Sequence, residues 1–325
     1  MRLIQNILFI MMLLSLGACY PASEVPTHSA PPTAILQMAT TAPVAVPLTP
    51  VPIIENSKPP TQTRSPTTAT LIPEEPKETA MPVMQAITIT IVYDNHVYDQ
   101  RLGSAWGFSA LVEYGEHTLL FDTGGNGQLL LRNMRILGID PVEIEGVVLS
   151  HIHDDHTGGL IALLSSGIKP MVYLLPSFPP SFKRQVEQYT QVSEVSPGQI
   201  LTDGIWTTGE IGGAIPEQSM VIQTAEGLVV ITGCAHPGIT NILEQVHRMN
   251  NAPLLMALGG FHLGSKSEAE IDAIVNDFRR LEVKQAGPCH CTGDLAIAKF
   301  AAEYGEDFLS IGVGSVIRLE TVTSK

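Results

Sequence analysis

The sequence predicts a mixed α/β (α+β) domain built in layers, set behind a long proline-rich lead segment. Three observations carry this expectation. Fourteen of the 24 prolines fall between Pro21 and Pro82, so the folded domain is placed at residues 86–325. Just beyond them, short β-branched runs follow one another across a few turn residues, as hairpin strands do. Further along, apolar runs alternate with segments of helical period, which calls for strands covered by helices.

The lead segment has two parts. Arg2 precedes an apolar run from Ile7 to Leu16 that is shorter than the ~20 residues a bilayer span needs. It closes on Leu16-Gly17-Ala18-Cys19, which resembles the lipobox of bacterial lipoproteins. That resemblance implies a signal peptide over residues 1–18, lipidation of Cys19, and a protein tethered to the extracytoplasmic face of a bacterial membrane. An uncleaved anchor is the alternative. Residues 19–85 are rich in Pro, Thr, Ser and Ala and poor in aromatics. Such a stretch buries too little apolar surface to offset its ordering entropy, so a disordered, semi-extended stalk is expected.

Within the domain, strands are expected at Ala86–Val92, Ser109–Tyr114 and His117–Asp122. Leu129, Leu130, Met134 and Leu137 then recur at helical spacing. A strand over Val147–Ser150, a helix over Gly158–Ser166 and a strand over Met171–Leu175 follow. Strands at Leu228–Thr232 and Leu254–Leu258 flank a helix over Ile239–Met249. Helices over Glu268–Leu281 and Asp294–Tyr304 precede a final strand, Ser315–Glu320.

Acidic residues outnumber basic ones by 32 to 18, a net charge of −14, with no basic cluster. A surface of that sign repels phosphate backbones, which argues against nucleic acid as a partner; the partner expected is a small-molecule substrate. Four cysteines are too few for a disulfide scaffold. No P-loop, dinucleotide fingerprint or Ser-His-Asp arrangement offers a rival chemistry. Nothing in the sequence fixes an oligomeric state.

Six of the ten histidines fall in four short motifs. The densest is His151-Ile152-His153-Asp154-Asp155-His156, directly after a strand. Histidines two apart at a strand end can aim both imidazoles into one site, while Asp155 and His156 on the following turn can hold a second ion. Imidazole with carboxylate suits Zn, Fe or Mn rather than Ca. The others are Gly233-Cys234-Ala235-His236-Pro237, Gly260-Phe261-His262-Leu263 and Cys289-His290-Cys291-Thr292-Gly293. His262 is read either as a substrate contact or proton shuttle, or as a buried histidine satisfied by backbone. Cys289 and Cys291 leave open a soft-ligand site, or oxidation with Cys234.

Val-Val-Leu-Ser-His-Ile-His-Asp-Asp-His, preceded by Phe121-Asp122-Thr123-Gly124, resembles the metallo-β-lactamase superfamily. The resemblance implies an αββα four-layer sandwich with a one- or two-metal site at one edge of its sheets. It implies His151 and His153 on one metal, Asp155 and His156 on the other, and Asp122 orienting the ligand loop by hydrogen bonds. His236 is then the expected third ligand of the first metal, because no histidine lies between His156 and His236. His290 is expected to complete the second. Cys234 is either a thiolate ligand or a small apolar filler. Tyr93-Asp94-Asn95, Glu217-Gln218-Ser219-Met220 and the three later histidine motifs narrow the resemblance. They resemble the branch related to the archaeal dihydropterin-ribofuranosylaminobenzene-phosphate synthase, across residues 86–320.

The expected activity is therefore that of a metallo-hydrolase with two divalent ions, Zn foremost and Fe or Mn as alternatives. Metal-activated hydroxide would attack an ester, lactone or phosphoester, with Asp155 accepting its proton. The alternatives are a transferase like the pterin synthase, and a metal- or ligand-binding sensor without turnover.

Overall fold

The computed structural model describes residues 83–323. The expected signal peptide, Cys19 and the expected stalk up to residue 82 lie outside the described residues, whereas residues 83–85, expected as the end of the stalk, begin the first strand. Chain order begins β1 (Val83–Tyr93), β2 (Ser109–Tyr114), β3 (His117–Phe121), α1 (Gly127–Leu137), β4 (Gly146–Val148), α2 (Asp154–Thr157) and α3 (Leu160–Leu164). Next come β5 (Met171–Leu174), α4 (Pro180–Glu187), β6 (Val192–Glu194), β7 (Ile200–Thr202), β8 (Ile205–Thr207), β9 (Met220–Gln223) and β10 (Leu228–Thr232). The chain closes with α5 (Ile239–Met249), β11 (Leu254–Gly260), α6 (Glu268–Arg280), β12 (Gln285–Cys289), α7 (Asp294–Tyr304) and β13 (Val316–Thr323).

Two sheets form, in the orders β13-β1-β2-β3-β4-β5-β6 and β12-β11-β10-β9-β8-β7. Side-chain alternation along each strand then makes the layers. On β10, Val229 and Ile231 join Ile87, Ile89, Ile91 and Phe121 in the core between the sheets. The alternate residues, Leu228 and Val230, pack with Leu243 of α5, Phe278 of α6 and Phe300 of α7. Leu111 and Leu120 face outward from the first sheet onto Leu130 and Met134 of α1 and Leu163 of α3. Because both faces of the central strands are covered, they read as continuous apolar runs rather than alternating ones. Each fully buried Leu, Ile or Phe contributes roughly 1.5–3 kcal/mol. The result is the expected four-layer αββα sandwich.

Local signals set several ends. Asn126 caps α1 by accepting from the Leu129 N–H, and Gly138 ends it in the left-handed region at φ 77°. Ser267 and Glu270 form a capping box on α6. The expected helix over Gly158–Ser166 is instead two short ones. α2 starts at Asp154, inside the histidine motif, where two carboxylates suit a helix N-terminus, and Gly158-Gly159 separates it from α3. Strand β12 contains Gly287 and Pro288 and gave no strand signal; it lies at the sheet edge, where proline's missing N–H costs no ladder bond. No helix among the described residues is long and apolar enough to cross a membrane.

Candidate metal centre

Strands β3 and β4 run parallel, as do β10, β11 and β12. The loops that follow the carboxyl ends of β4, β10, β11 and β12 carry every motif histidine, and they meet at one site. Backbone strain gathers there as well. Asp122, Ala235, His262 and His290 all hold left-handed φ values, between 50° and 60°, a region uncommon for residues other than glycine.

The first cluster is His151, His153 and His236, with donor atoms all within 4.8 Å of one another. His153 Nδ1 lies 3.1 Å from His151 Nε2 and 3.2 Å from His236 Nε2. Burial pushes the His151 imidazole far below its usual range, and the neighbouring imidazoles push it further. His236 is pushed down to about 4 by burial, then by His262 and His153. Both rings are thus neutral at pH 7, with a lone pair to offer.

The second cluster is Asp155, His156, Cys234 and His290. His156 Nε2 stands 3.2 Å from Cys234 Sγ and 3.6 Å from Asp155 Oδ2. His290 Nε2 lies 3.3 Å from the same carboxylate oxygen. Burial alone would raise the Asp155 carboxyl, but His290 and His156 more than offset it and hold it well below the usual range.

Behind these groups sits a set of buried polar residues that fixes ring orientation. Asp122 Oδ2 accepts from His156 Nδ1 at 2.7 Å and from the Ser150 hydroxyl at 2.7 Å, and Oδ1 accepts from the Ser150 N–H at 2.7 Å. Burial depresses the His156 pKa, but the Asp122 charge outweighs it and carries the ring up to about 9, so a cation binding at Nε2 must displace a proton. Gly233 lets this pair approach the loop after β10, since a Cβ there would sit 2.7 Å from Ser150 Cβ and 2.9 Å from Asp122 Oδ2. Asn95 takes His290 Nδ1 on its Oδ1 at 2.9 Å and donates to the His290 carbonyl at 3.2 Å. Glu217, wholly buried, accepts four backbone N–H groups, from Gly233, Cys234, Ala235 and His236, at 2.9–3.0 Å. Burial raises its carboxyl and those donors lower it.

Asn95, Ser150 and Glu217 had no assigned role in the sequence. Asn95 and Glu217 stood out only as parts of the Tyr93-Asp94-Asn95 and Glu217–Met220 runs.

The geometry fits cations in both clusters. His290 Nδ1 is engaged by Asn95, and its buried Nε2, 3.3 Å from the Asp155 carboxylate, makes no hydrogen bond. A cation between the two would give both atoms a partner. Tetrahedral nitrogen ligands stand about 3.3 Å apart around a Zn ion at ~2.0–2.1 Å, close to the spacings in the first cluster. Among the described residues, the salt-bridge partners of Asp122, Asp155 and Glu217 are all histidines, so three carboxylates lack a Lys or Arg.

The remaining motif residues divide. Cys234 is 3% exposed, with its sulfur among the potential donor atoms of the second cluster. His262 is exposed, its ring 4.3 Å from that of His236, so the buried alternative does not hold. Cys289 points into the core between the sheets, whereas Cys291, on the one-turn helix that follows, turns towards Cys234. The two cysteines flanking His290 therefore do not form a joint site. Trp106 is 58% exposed, and its ring centroid lies 4.9 Å from that of His290, an apolar wall at the mouth.

The sequence profile of the metallo-beta-lactamase superfamily matches residues 107–246. The solved structure of Tm1679, described as a metal-dependent hydrolase of the beta-lactamase superfamily, is 30% identical with a TM-score of 0.61, covering 73% of this chain and all of that one. This chain belongs to the metallo-beta-lactamase superfamily. Among characterised relatives, it is 28% identical over 279 residues to a 7,8-dihydropterin-6-methyl-4-(beta-D-ribofuranosyl)-aminobenzene-5'-phosphate synthase from Methanocaldococcus jannaschii, covering 70% of this chain and 95% of the relative. The metallo-beta-lactamase fold protein YhfI from Bacillus subtilis shares the fold, at 15% identity and a TM-score of 0.55, over 72% of this chain and 99% of that one.

Proposed function

We propose that this chain is a two-metal hydrolase of small-molecule esters, lactones or phosphoesters, with Zn foremost and Fe or Mn as alternatives. The observation that carries the reading is the convergence of metal-ligating donors. His153 Nδ1 lies within hydrogen-bonding distance of an imidazole nitrogen on each of His151 and His236, and the unpartnered His290 Nε2 faces Asp155. His151, His153 and His236 would hold one divalent ion, and Asp155, His156, Cys234 and His290 the other; ions bound there would polarise the scissile carbonyl or phosphoryl group and lower the pKa of water. Asp155, partly open to solvent, accepts a proton at a carboxylate oxygen during attack. Trp106, exposed beside His290, offers an apolar face to the part of the substrate that does not react.

Metal analysis by inductively coupled plasma mass spectrometry, on the full-length chain with His153→Ala and His290→Ala, tests the site. Two ions in wild type and fewer in each variant support it. No bound metal after supply of Zn, Fe and Mn would refute it and bring forward a sensor without turnover. Turnover of nitrophenyl ester and phosphodiester probes, lost in His153→Ala, tests the reaction.

A second reading, transfer with departure of pyrophosphate, draws support from the synthase relative, whose similarity spans 95% of that protein. It requires pyrophosphate release only when an acceptor is present. The Leu16–Cys19 run supports export and lipid anchoring through Cys19. Cys19→Ser is expected to move the protein from the membrane to the soluble fraction.

A further inference from the structure

We propose that Cys234, His262 and Cys291 form a third cation site, for a soft or borderline ion of the Zn(II) or Cu(I) class, joined to the second cluster through the Cys234 sulfur. It rests on the two-metal reading only in that Cys234 serves both sites. Three adjacent strands supply one donor each: Cys234 follows β10, His262 follows β11 and Cys291 follows β12. The register sets Thr232 opposite Gly259 and Gly260 opposite Cys289, so the three loops leave the sheet at one level. Their two sulfurs and one imidazole nitrogen all lie within 4.8 Å of one another.

The loops are tied before any ion arrives. The Phe261 N–H donates to Thr292 Oγ1 at 3.0 Å, the Thr232 hydroxyl to the Gly260 carbonyl at 2.8 Å, and the Gly260 N–H to the Gly233 carbonyl at 3.1 Å. Gly260 lies beneath the pair of thiols. A Cβ there would fall 2.7 Å from Cys291 Sγ and 3.2 Å from Cys234 Cα, so a side chain at this position would occupy the space in which the sulfurs approach. Cys234 and Cys291 are 3% and 8% exposed, while His262 is exposed. The sulfurs thus form a dry floor and the imidazole a solvent-facing lid, which provides the entry path a metal site needs. His262 holds φ 53°, a strained setting for a residue with a Cβ, and one that accompanies the aim of its ring towards the thiols. Two thiolates and an imidazole prefer Zn(II) or Cu(I) to the oxygen-seeking Mg and Ca. A thiolate keeps spare lone pairs after binding one ion, so Cys234 can bridge. Cys289, turned into the apolar core, takes no part.

Anaerobic, metal-free full-length protein titrated with Cd(II) tests this, with bound equivalents counted by mass spectrometry and sulfur ligation followed by the thiolate-to-cadmium ultraviolet band. Wild type and the control Cys289→Ser are expected to bind three equivalents. Cys291→Ser and the rim variant His262→Ala each lose one, and the thiolate band falls by about two thirds in Cys291→Ser, as three sulfur–cadmium bonds become one. Two equivalents retained alike by wild type and both variants would overturn this site while supporting the two-metal reading. A single equivalent in wild type, lost in both variants, would support this site and sink the two-metal reading.

Discussion

Replacing Glu217 by Gln removes a buried negative charge and keeps one carbonyl oxygen. In the native loop, Oε1 accepts from the N–H groups of Gly233, Cys234 and Ala235 at 3.0, 2.9 and 2.9 Å, and Oε2 accepts from His236 at 2.9 Å. The amide oxygen can serve the first three donors. Its NH2 group then faces the His236 N–H, so one buried donor loses its partner and three bonds lose their charge assistance. A bond to a charged acceptor contributes ~1.5–3 kcal/mol, and an orphaned buried donor costs ~1–3 kcal/mol. A net loss of roughly 3 kcal/mol is expected, which at ~2–4 °C per kcal/mol lowers the unfolding midpoint by about 6–12 °C. The assay is thermal unfolding of the metal-loaded chain by circular dichroism, paired with metal analysis, since the same loop carries Cys234 and His236. Metal content should fall with the midpoint. A midpoint within about 2 °C of wild type, with full metal content, would refute the reasoning: it would mean that Glu217 is already protonated, as burial favours.

Further expectations are open to direct measurement. Asn95→Ala frees the His290 ring, and by analogy with other residues supporting metal-bound histidines it should weaken the second ion by roughly 10–100-fold in a chelator competition. Asp94, fully buried, is raised by burial from its ordinary 3.8 to about 6, so the folded state holds the proton more tightly and stability falls as pH rises from about 4 through about 6. In metal-free protein, denaturant curves should show Asp94→Asn flattening that slope and adding ~1–3 kcal/mol at pH 8, while an unchanged slope would exclude Asp94 as its source. Phe278→Ala, in the ring cluster with Phe261 and Phe300, should cost ~3–5 kcal/mol in the same assay.

Much of this molecule is written in runs short enough to read along the chain. The apolar strands, the helices with caps such as Ser267 and Glu270, and the His151–His156 motif are all local. Their signal is a period, a cap or a cluster within a few residues. The layering also follows from the chain, because runs such as Leu228–Thr232 are apolar on both faces and must be covered twice. What the chain could not show is which distant groups meet. Asn95 reaches His290 across 195 residues, and Glu217 binds a loop 16 to 19 residues away through backbone donors alone. Neither contact leaves a periodic trace, since a hydrogen bond constrains only the two ends that make it. Nor could spacing tell that Cys291 turns to Cys234 while Cys289 enters the core. That choice belongs to the turn after β12, where the strand's alternation stops and the backbone at His290 adopts a left-handed φ.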